Sequence, residues 1–285
     1  MTQPWLLYFR SNQAEPQEIP WQDVQMPHPE TARVLIPSLQ QFQLGEGATG
    51  ITFLEHGRRH AKEAGDPYFI ETLALFIAEE QRHSGLLKRY LRSVGAPVLE
   101  RHWVDGIFRK MRKLAGLECM VTVLITAEVL AAPYYRTVYR VSSCPALRAI
   151  CRRILREEAQ HLLYQASTLA VLQRLRSFWW RRLTYAAQHV LLAGTCVTVW
   201  AQHGRLLRHG GTSFLSFVLD CRALLRHVQR AARSAEIRDR VTQAASNTLD
   251  RTGSLADDGI QKGPQQAEIS LRQAAAHHNK SLFPF

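Results

Sequence analysis

Two pentapeptides of one pattern stand out in the chain: Glu79-Glu80-Gln81-Arg82-His83 and Glu157-Glu158-Ala159-Gln160-His161. Each holds a Glu-x-x-His on a strongly helical stretch. Residues three apart on a helix share a face about one turn apart, so each pair offers a carboxylate oxygen and an imidazole nitrogen to one point in space. A further glutamate precedes each copy at a similar distance, Glu46 by 34 residues and Glu128 by 30. Four carboxylates and two imidazoles are hard-to-borderline donors that suit iron or manganese rather than a thiolate-loving metal. Four negative charges also balance two divalent ions.

Apolar periodicity selects among the candidate glutamates. Glu80 continues the line Phe69, Leu73, Phe76, Ile77 and is followed by Leu87, whereas Glu79 lies about 100° off that line, where supporting the site and facing solvent both remain open. Leu147, Ile150, Cys151, Ile154 and Leu155 run into Glu158 and His161, and Leu114, Leu117, Val121, Leu124 and Ile125 run into Glu128. A carboxylate that interrupts an apolar stripe is costly unless it is paired or metal-bound. Glu55 competes with Glu46 for the first helix, but nine residues make about two and a half turns, so the two point to opposite faces. Glu46 shares its face with Leu39, Phe42, Gly50 and Phe53; Glu55 neighbours Arg58, Arg59 and Lys62.

In the order Glu46, Glu80-x-x-His83, Glu128, Glu158-x-x-His161, the region from Pro37 to Leu175 resembles the ferritin-like di-iron carboxylate superfamily. In such bundles one Glu comes from each of two helices and a Glu-x-x-His from each of the other two. The resemblance implies an all-α, ferritin-like four-helix bundle with a long crossover between helices two and three, here Tyr90 to Lys113. It implies two iron ions, or manganese or a mixed pair, held by Glu46, Glu80, His83, Glu128, Glu158 and His161. It also implies O2 as a reactant, a small apolar organic substrate, an electron donor, and hydroxylation, desaturation or N-oxidation as the reaction. The same ligands serve ferroxidases, peroxide scavengers and iron stores, and this is the competing expectation.

Several neighbours bear on that chemistry. Glycines 45, 47 and 50 bracket Glu46 at about 1 kcal/mol each in a helix interior, so either a close neighbour, room beside the metals, or a helix break is expected there. Pro133, five residues after Glu128, predicts an irregular helix near Val129. Ala131 and Ala132 leave space one turn past Glu128. Several hydroxylases of the superfamily carry threonine where this chain has Ala132, which weakens assignment to that branch. Tyr135 lies on the face of Glu128 and is a candidate for hydrogen bonding or redox work as well as for plain core packing.

The pattern predicts an irregular leader over residues 1–36, the bundle over 37–175, further helices over 176–234 and a polar tail over 235–285, with Leu282-Phe283-Pro284-Phe285 as a docking tip. Helices are expected at 37–64, 67–93, 113–141, 145–175, 179–208 and 213–234, with a short one over Val98–Arg109. Pro37, Pro67 and Pro145 each mark a first turn. The five cysteines form no Cys-x-x-Cys and read as reduced core residues of a cytoplasmic protein. The net charge of +12 comes without a nucleic-acid recognition motif. It suits an acidic carrier protein or an anionic membrane surface instead, and a homodimer is compatible with the bundle. Leu183 to His203 carries no charged residue and lies between arginine clusters, with Phe178-Trp179-Trp180 and Trp200 at its ends. It is expected to be a helix with its apolar side on the bundle; peripheral attachment to the inner face of a membrane and a membrane span are the other readings.

Overall fold

The computed structural model describes residues 2–14, 18–47, 50–99 and 116–251, with side chains to 234. Among these residues the chain is all-helical and contains no strand. Eight α-helices follow in order: α1 Gln3–Ala14, α2 Pro29–Glu46, α3 Ile51–Ala64, α4 Phe69–Ser93, α5 Leu117–Val141, α6 Pro145–Gln173, α7 Phe178–His209 and α8 Phe214–Arg251, with a 3-10 turn at Trp21–Asp23.

The core is built on α5 and α6. Helix α5 is buried on nearly all sides, with Val121, Ile125, Val129 and Ala132 in the interior, and it packs against α3, α6, α7 and α8. Among the described residues it is the one helix long and apolar enough to cross a membrane, yet 72% of its apolar window is buried by the other helices. It is therefore the core helix of the bundle. Helix α4 packs on α1, α2, α3 and α6, and α2 also meets α7. Thus, of the four helices carrying Glu46, Glu80 with His83, Glu128, and Glu158 with His161, α2 packs on α4, α4 on α6 and α6 on α5, and α7 and α8 lie outside them.

Three elements differ from the sequence reading. The leader is not irregular throughout: α1 forms because Leu6 and Phe9 bury themselves, Phe9 meeting the rings of Phe76 and Tyr164 at 6.3 and 5.4 Å. Arg10 also pairs with Glu71 of α4. A two-turn apolar pattern without a capping residue is too short to announce a helix that tertiary packing stabilises. Helix α2 begins at Pro29, and Pro37 lies inside it on the exposed side rather than at a first turn. The backbone carbonyl one turn before Pro37 belongs to exposed Arg33, where water can replace the missing donor. Helix α8 continues to Arg251 instead of ending at 234. Val98 and Leu99 are not helical, and the rest of the Val98–Arg109 segment, like the tail from 252, lies outside the described residues.

The expected single helix over 37–64 is two. Helix α2 stops at Glu46, and Gly50 takes a left-handed φ of 68° before α3 starts. A methyl added to Gly50 would sit 2.6 Å from Ile77 Cδ1 on α4, so this glycine meets both a conformational and a packing demand. Gly45, by contrast, faces open space. Gly50→Ala is expected to destabilise the protein by about 1–3 kcal/mol, while Gly45→Ala is neutral or stabilising by about 1 kcal/mol or less. Denaturant melts of the two variants check the difference; equal melts would contradict this account of the break.

Candidate metal centre

The six expected ligands converge from four helices. Ligand atoms of Glu46, Glu80, His83 and Glu158 lie within 4.8 Å of one another, and so do those of Glu80, Glu128, Glu158 and His161. The two groups share Glu80 and Glu158. Each group could hold a metal ion, with Glu80 and Glu158 common to both and one further Glu and one His particular to each. Glu55 is exposed on α3. The helical-face argument placed it opposite Glu46 on one helix, but the break at Gly47–Gly50 separates them onto two.

Both imidazoles turn Nδ1 toward the carboxylates. His161 Nδ1 is 2.8 Å from Glu80 Oε1, and His83 Nδ1 is 3.3 Å from Glu158 Oε1. None of these atoms finds a hydrogen-bond partner of acceptable geometry: His83 Nδ1, His161 Nδ1, Glu80 Oε1, Glu128 Oε2 and both Glu158 oxygens are buried and unsatisfied. Buried polar atoms are nearly always paired, so six orphaned donor atoms facing one volume fit a bound cation pair. The residues present thus fit metal binding.

The other ring nitrogens are held crosswise. His83 Nε2–H donates to Glu157 Oε2 at 2.6 Å, and His161 Nε2–H donates to Glu79 Oε2 at 2.9 Å. Each doublet Glu-Glu therefore sends its second glutamate into the centre and its first to the histidine of the other helix. A single side chain from α1 ties the two together, for Asn12 Nδ2 donates to Glu79 Oε1 at 2.6 Å and to Glu157 Oε1 at 3.0 Å. Arg82 reaches both carboxylates, at 3.3 and 2.9 Å, and buried Arg153 donates to Glu157 at 3.1 Å. Such outer contacts fix the tautomer and ring orientation of metal-binding histidines.

Without a cation the cluster is electrostatically strained. Burial first, then the neighbouring Glu80 and Glu158, push the Glu46 carboxyl well above its usual range; burial and then Glu158 do the same to Glu128. Burial would raise Glu80 too, but His161 and His83 outweigh it and hold that carboxyl down to about 2. Burial would lower His83, yet Glu157 and Glu158 raise it to about 10, and His161 is raised by Glu79 and Glu80. Burial opposes ionisation of Glu157 as well, and His83, Arg82 and Arg153 overcome it, leaving that carboxyl well below the usual range. Glu46 also ends α2, where the negative end of the helix dipole disfavours a bare carboxylate.

Tyr135 and Gln165 complete the surroundings. Tyr135 Oη donates to Glu46 Oε1 at 2.8 Å, and burial followed by Glu46 keeps its proton bound by raising it well above the ordinary tyrosine range. Gln165, one turn past His161, donates to Glu128. The small residues expected to leave room do not do so together: Gly50 is closed by Ile77, and Ala131 and Ala132 are packed in the core. Helix α5 runs as α-helix through Pro133. A cavity of about 820 Å³ runs along α2 and α4, lined among others by Gln43, Gly47, Ser84, Lys88 and Arg92; Gly47 and Ser84 follow Glu46 and His83 in sequence, and none of the six ligands lines it.

Sequence reasoning missed Asn12, Arg82, Arg153, Glu157 and Gln165 as supports of this centre and left Glu79 undecided. The doubling of glutamate in both pentapeptides was a usable signal for Glu79 and Glu157; nothing local marks Asn12. Comparison with protein-family models, with curated proteins and with solved structures finds no match for the chain.

Two outcomes follow from this geometry. Glu157→Gln or Glu79→Gln is expected to weaken manganese(II) binding about 10–100-fold by loosening an imidazole, as read by calorimetry on folded protein. His83 is pushed up to about 10 and His161, Glu46 and Glu128 are all raised above their ordinary values, so metal uptake competes with protons at these groups. Affinity should rise about tenfold per pH unit for each proton displaced, and a flat profile between pH 6 and 8 would contradict the cluster described.

Proposed function

We propose that the chain is a ferritin-like di-iron carboxylate protein that uses O2 to oxidise an organic substrate. The observation that carries this reading is the pair of four-residue groups sharing Glu80 and Glu158, with every ligand nitrogen backed by a crosswise carboxylate. Two bound ferrous ions would supply two electrons to O2 at such a site. Glu46 with His83 and Glu128 with His161 would each complete one position, and Glu80 and Glu158 would join them. Glu79 and Glu157 hold the rings; Asn12, Arg82 and Arg153 hold Glu79 and Glu157. Tyr135 keeps a proton at 2.8 Å from Glu46, where it can stabilise one carboxylate binding mode over another.

The cavity beside Gly47 and Ser84 supports substrate approach between α2 and α4. Its walls combine Leu44, Ala96, Pro97 and Leu99 with Lys88 and Arg92, which suits an organic molecule with an apolar body and a negative group. Ferroxidase or peroxide-scavenging action is the competing use of the same six ligands.

Protein reconstituted with iron should contain two metal ions per chain, and Glu128→Ala or His161→Ala should lose at least one. Elemental analysis showing zero or one ion in the unmodified protein would overturn the reading. The reduced protein should consume O2 and stop after its bound iron is oxidised. Hundreds of ferrous ions oxidised and retained per chain would make it an iron store instead. Tyr135→Phe should keep both ions and change the rate of O2 consumption several-fold; an unchanged rate would make Tyr135 a packing residue.

A further inference from the structure

Helix α7 divides its apolar residues between two sides: Leu192, Cys196, Leu206 and Leu207 are buried against the bundle, and another set faces outward. Its polar residues face the bundle: Gln188, 1% exposed, donates to the Thr122 carbonyl, and His203 Nδ1 lies 2.8 Å from Ser38 Oγ. The outward side is apolar as well, with Val190 74% exposed and Trp179, Leu183 and Val197 exposed. The sequence reading had the apolar side on the bundle; the structure buries part of it there, at Leu192, Cys196, Leu206 and Leu207, and leaves a second apolar stripe facing outward. Leu183, Ala187, Val190, Gly194, Val197 and Ala201 recur at alternating spacings of four and three, so they form one stripe about 27 Å long.

Basic residues frame that stripe. Exposed Arg176 and Arg182 stand at one end beside exposed Phe178, Trp179 and Trp180; exposed Arg205 and Arg208 stand at the other. Alongside, α8 runs in the opposite direction, with Trp200 near Phe214 and Tyr185 near Arg233. It contributes exposed Phe214, Leu215 and Leu219 and then Arg226, Arg230 and Arg233, which with His189 and Gln229 line a niche of about 510 Å³ beside Val190. Arg226 and Arg230 form no ion pair among the described residues. From Ala159 to Ala235 the chain has ten arginines and a single acidic residue, Asp220.

We infer that the outer face of α7 and the first half of α8 docks on an anionic lipid surface, with the stripe in the headgroup boundary and lipid phosphates in the Arg226–Arg230–Arg233 niche. An apolar stripe with tryptophans at its end and arginines around it matches the requirements of that boundary. A second copy of this chain fits less well, because arginines at both ends would meet arginines in either orientation. A nucleic acid would offer the stripe nothing apolar. The polar inner side of α7 is engaged by the bundle, so the helix lies on the surface and does not span.

Flotation of the full-length, iron-reconstituted protein with phosphatidylcholine vesicles, with and without 30% phosphatidylglycerol, tests the inference. The protein should float with the anionic vesicles, stay behind with the neutral ones, and be released in part by 0.5 M salt. Arg226→Gln with Arg230→Gln should lower the partition constant roughly tenfold or more. Val190→Gln with Val197→Gln should lower it at least as much with helicity and metal content unchanged. Failure to float, or variants that float like the parent, would overturn it. So would sedimentation showing a dimer that Val190→Gln with Val197→Gln dissociates while vesicle binding is absent. Metal content is measured on the same samples, so loss of the docking face and failure of the metal centre are read separately.

Discussion

The structure turns on a cluster of negative charge that cannot stay uncompensated. Glu46, Glu80, Glu128 and Glu158 meet among buried apolar side chains, where an isolated carboxylate costs several kcal/mol. Protonation can relieve part of this, as the raised Glu46 and Glu128 carboxyls show. It does so only by leaving donor atoms without partners. Metal ions held by these residues would satisfy the charge and the orphaned atoms together. The same demand explains why four helices meet here rather than burying hydrophobes, since each carries one or two of the groups that need a shared counter-ion.

A second layer keeps the first in register. Glu79 and Glu157 would add two more buried negative charges, and they are balanced by Arg82 and Arg153 and joined by Asn12. The coupling is crosswise: His83 of α4 depends on Glu157 of α6, and His161 of α6 on Glu79 of α4. A shift of either helix breaks both contacts at once, so the pairing fixes the relative position of α4 and α6 more tightly than apolar packing alone. Helix α1 exists in part for this purpose, with Phe9 anchoring it against His161, Phe76 and Tyr164 and Asn12 closing the network.

What was legible in the sequence was whatever helical periodicity carries. Glu80, Glu128 and Glu158 interrupt long apolar stripes, and three-residue spacing then names both histidines, so the grouping found in space could be read from local pattern. Helix boundaries for α4, α5 and α6 were legible for the same reason. Three things were not. The break after Glu46 depends on Ile77 of α4 pressing against Gly50, a contact 27 residues away in sequence. Asn12 acts across 67 and 145 residues, beyond any periodic signal. The third was which face of α7 turns inward, because periodicity identifies two faces and does not say which one the rest of the fold can accept.

That last point has a physical answer in the bundle itself. The surface that α7 covers is not wholly apolar: Ser38 and Tyr134 present hydroxyls 3.1 Å apart, and the Thr122 carbonyl is open to a further donor. An apolar helix face laid over these groups would bury them unsatisfied, at about 1–3 kcal/mol each. His203 and Gln188 instead give them partners, and Gln229 of α8 extends the chain by donating to Gln188 Oε1 at 3.0 Å. Satisfying the buried polar groups while Leu192, Leu206 and Leu207 enter the core sets the rotation of α7, and Leu183, Val190 and Val197 are turned outward as the consequence. Exposed apolar area on that scale is costly in water, so the hydrogen bonds beneath α7 and the partner above it are two sides of one constraint.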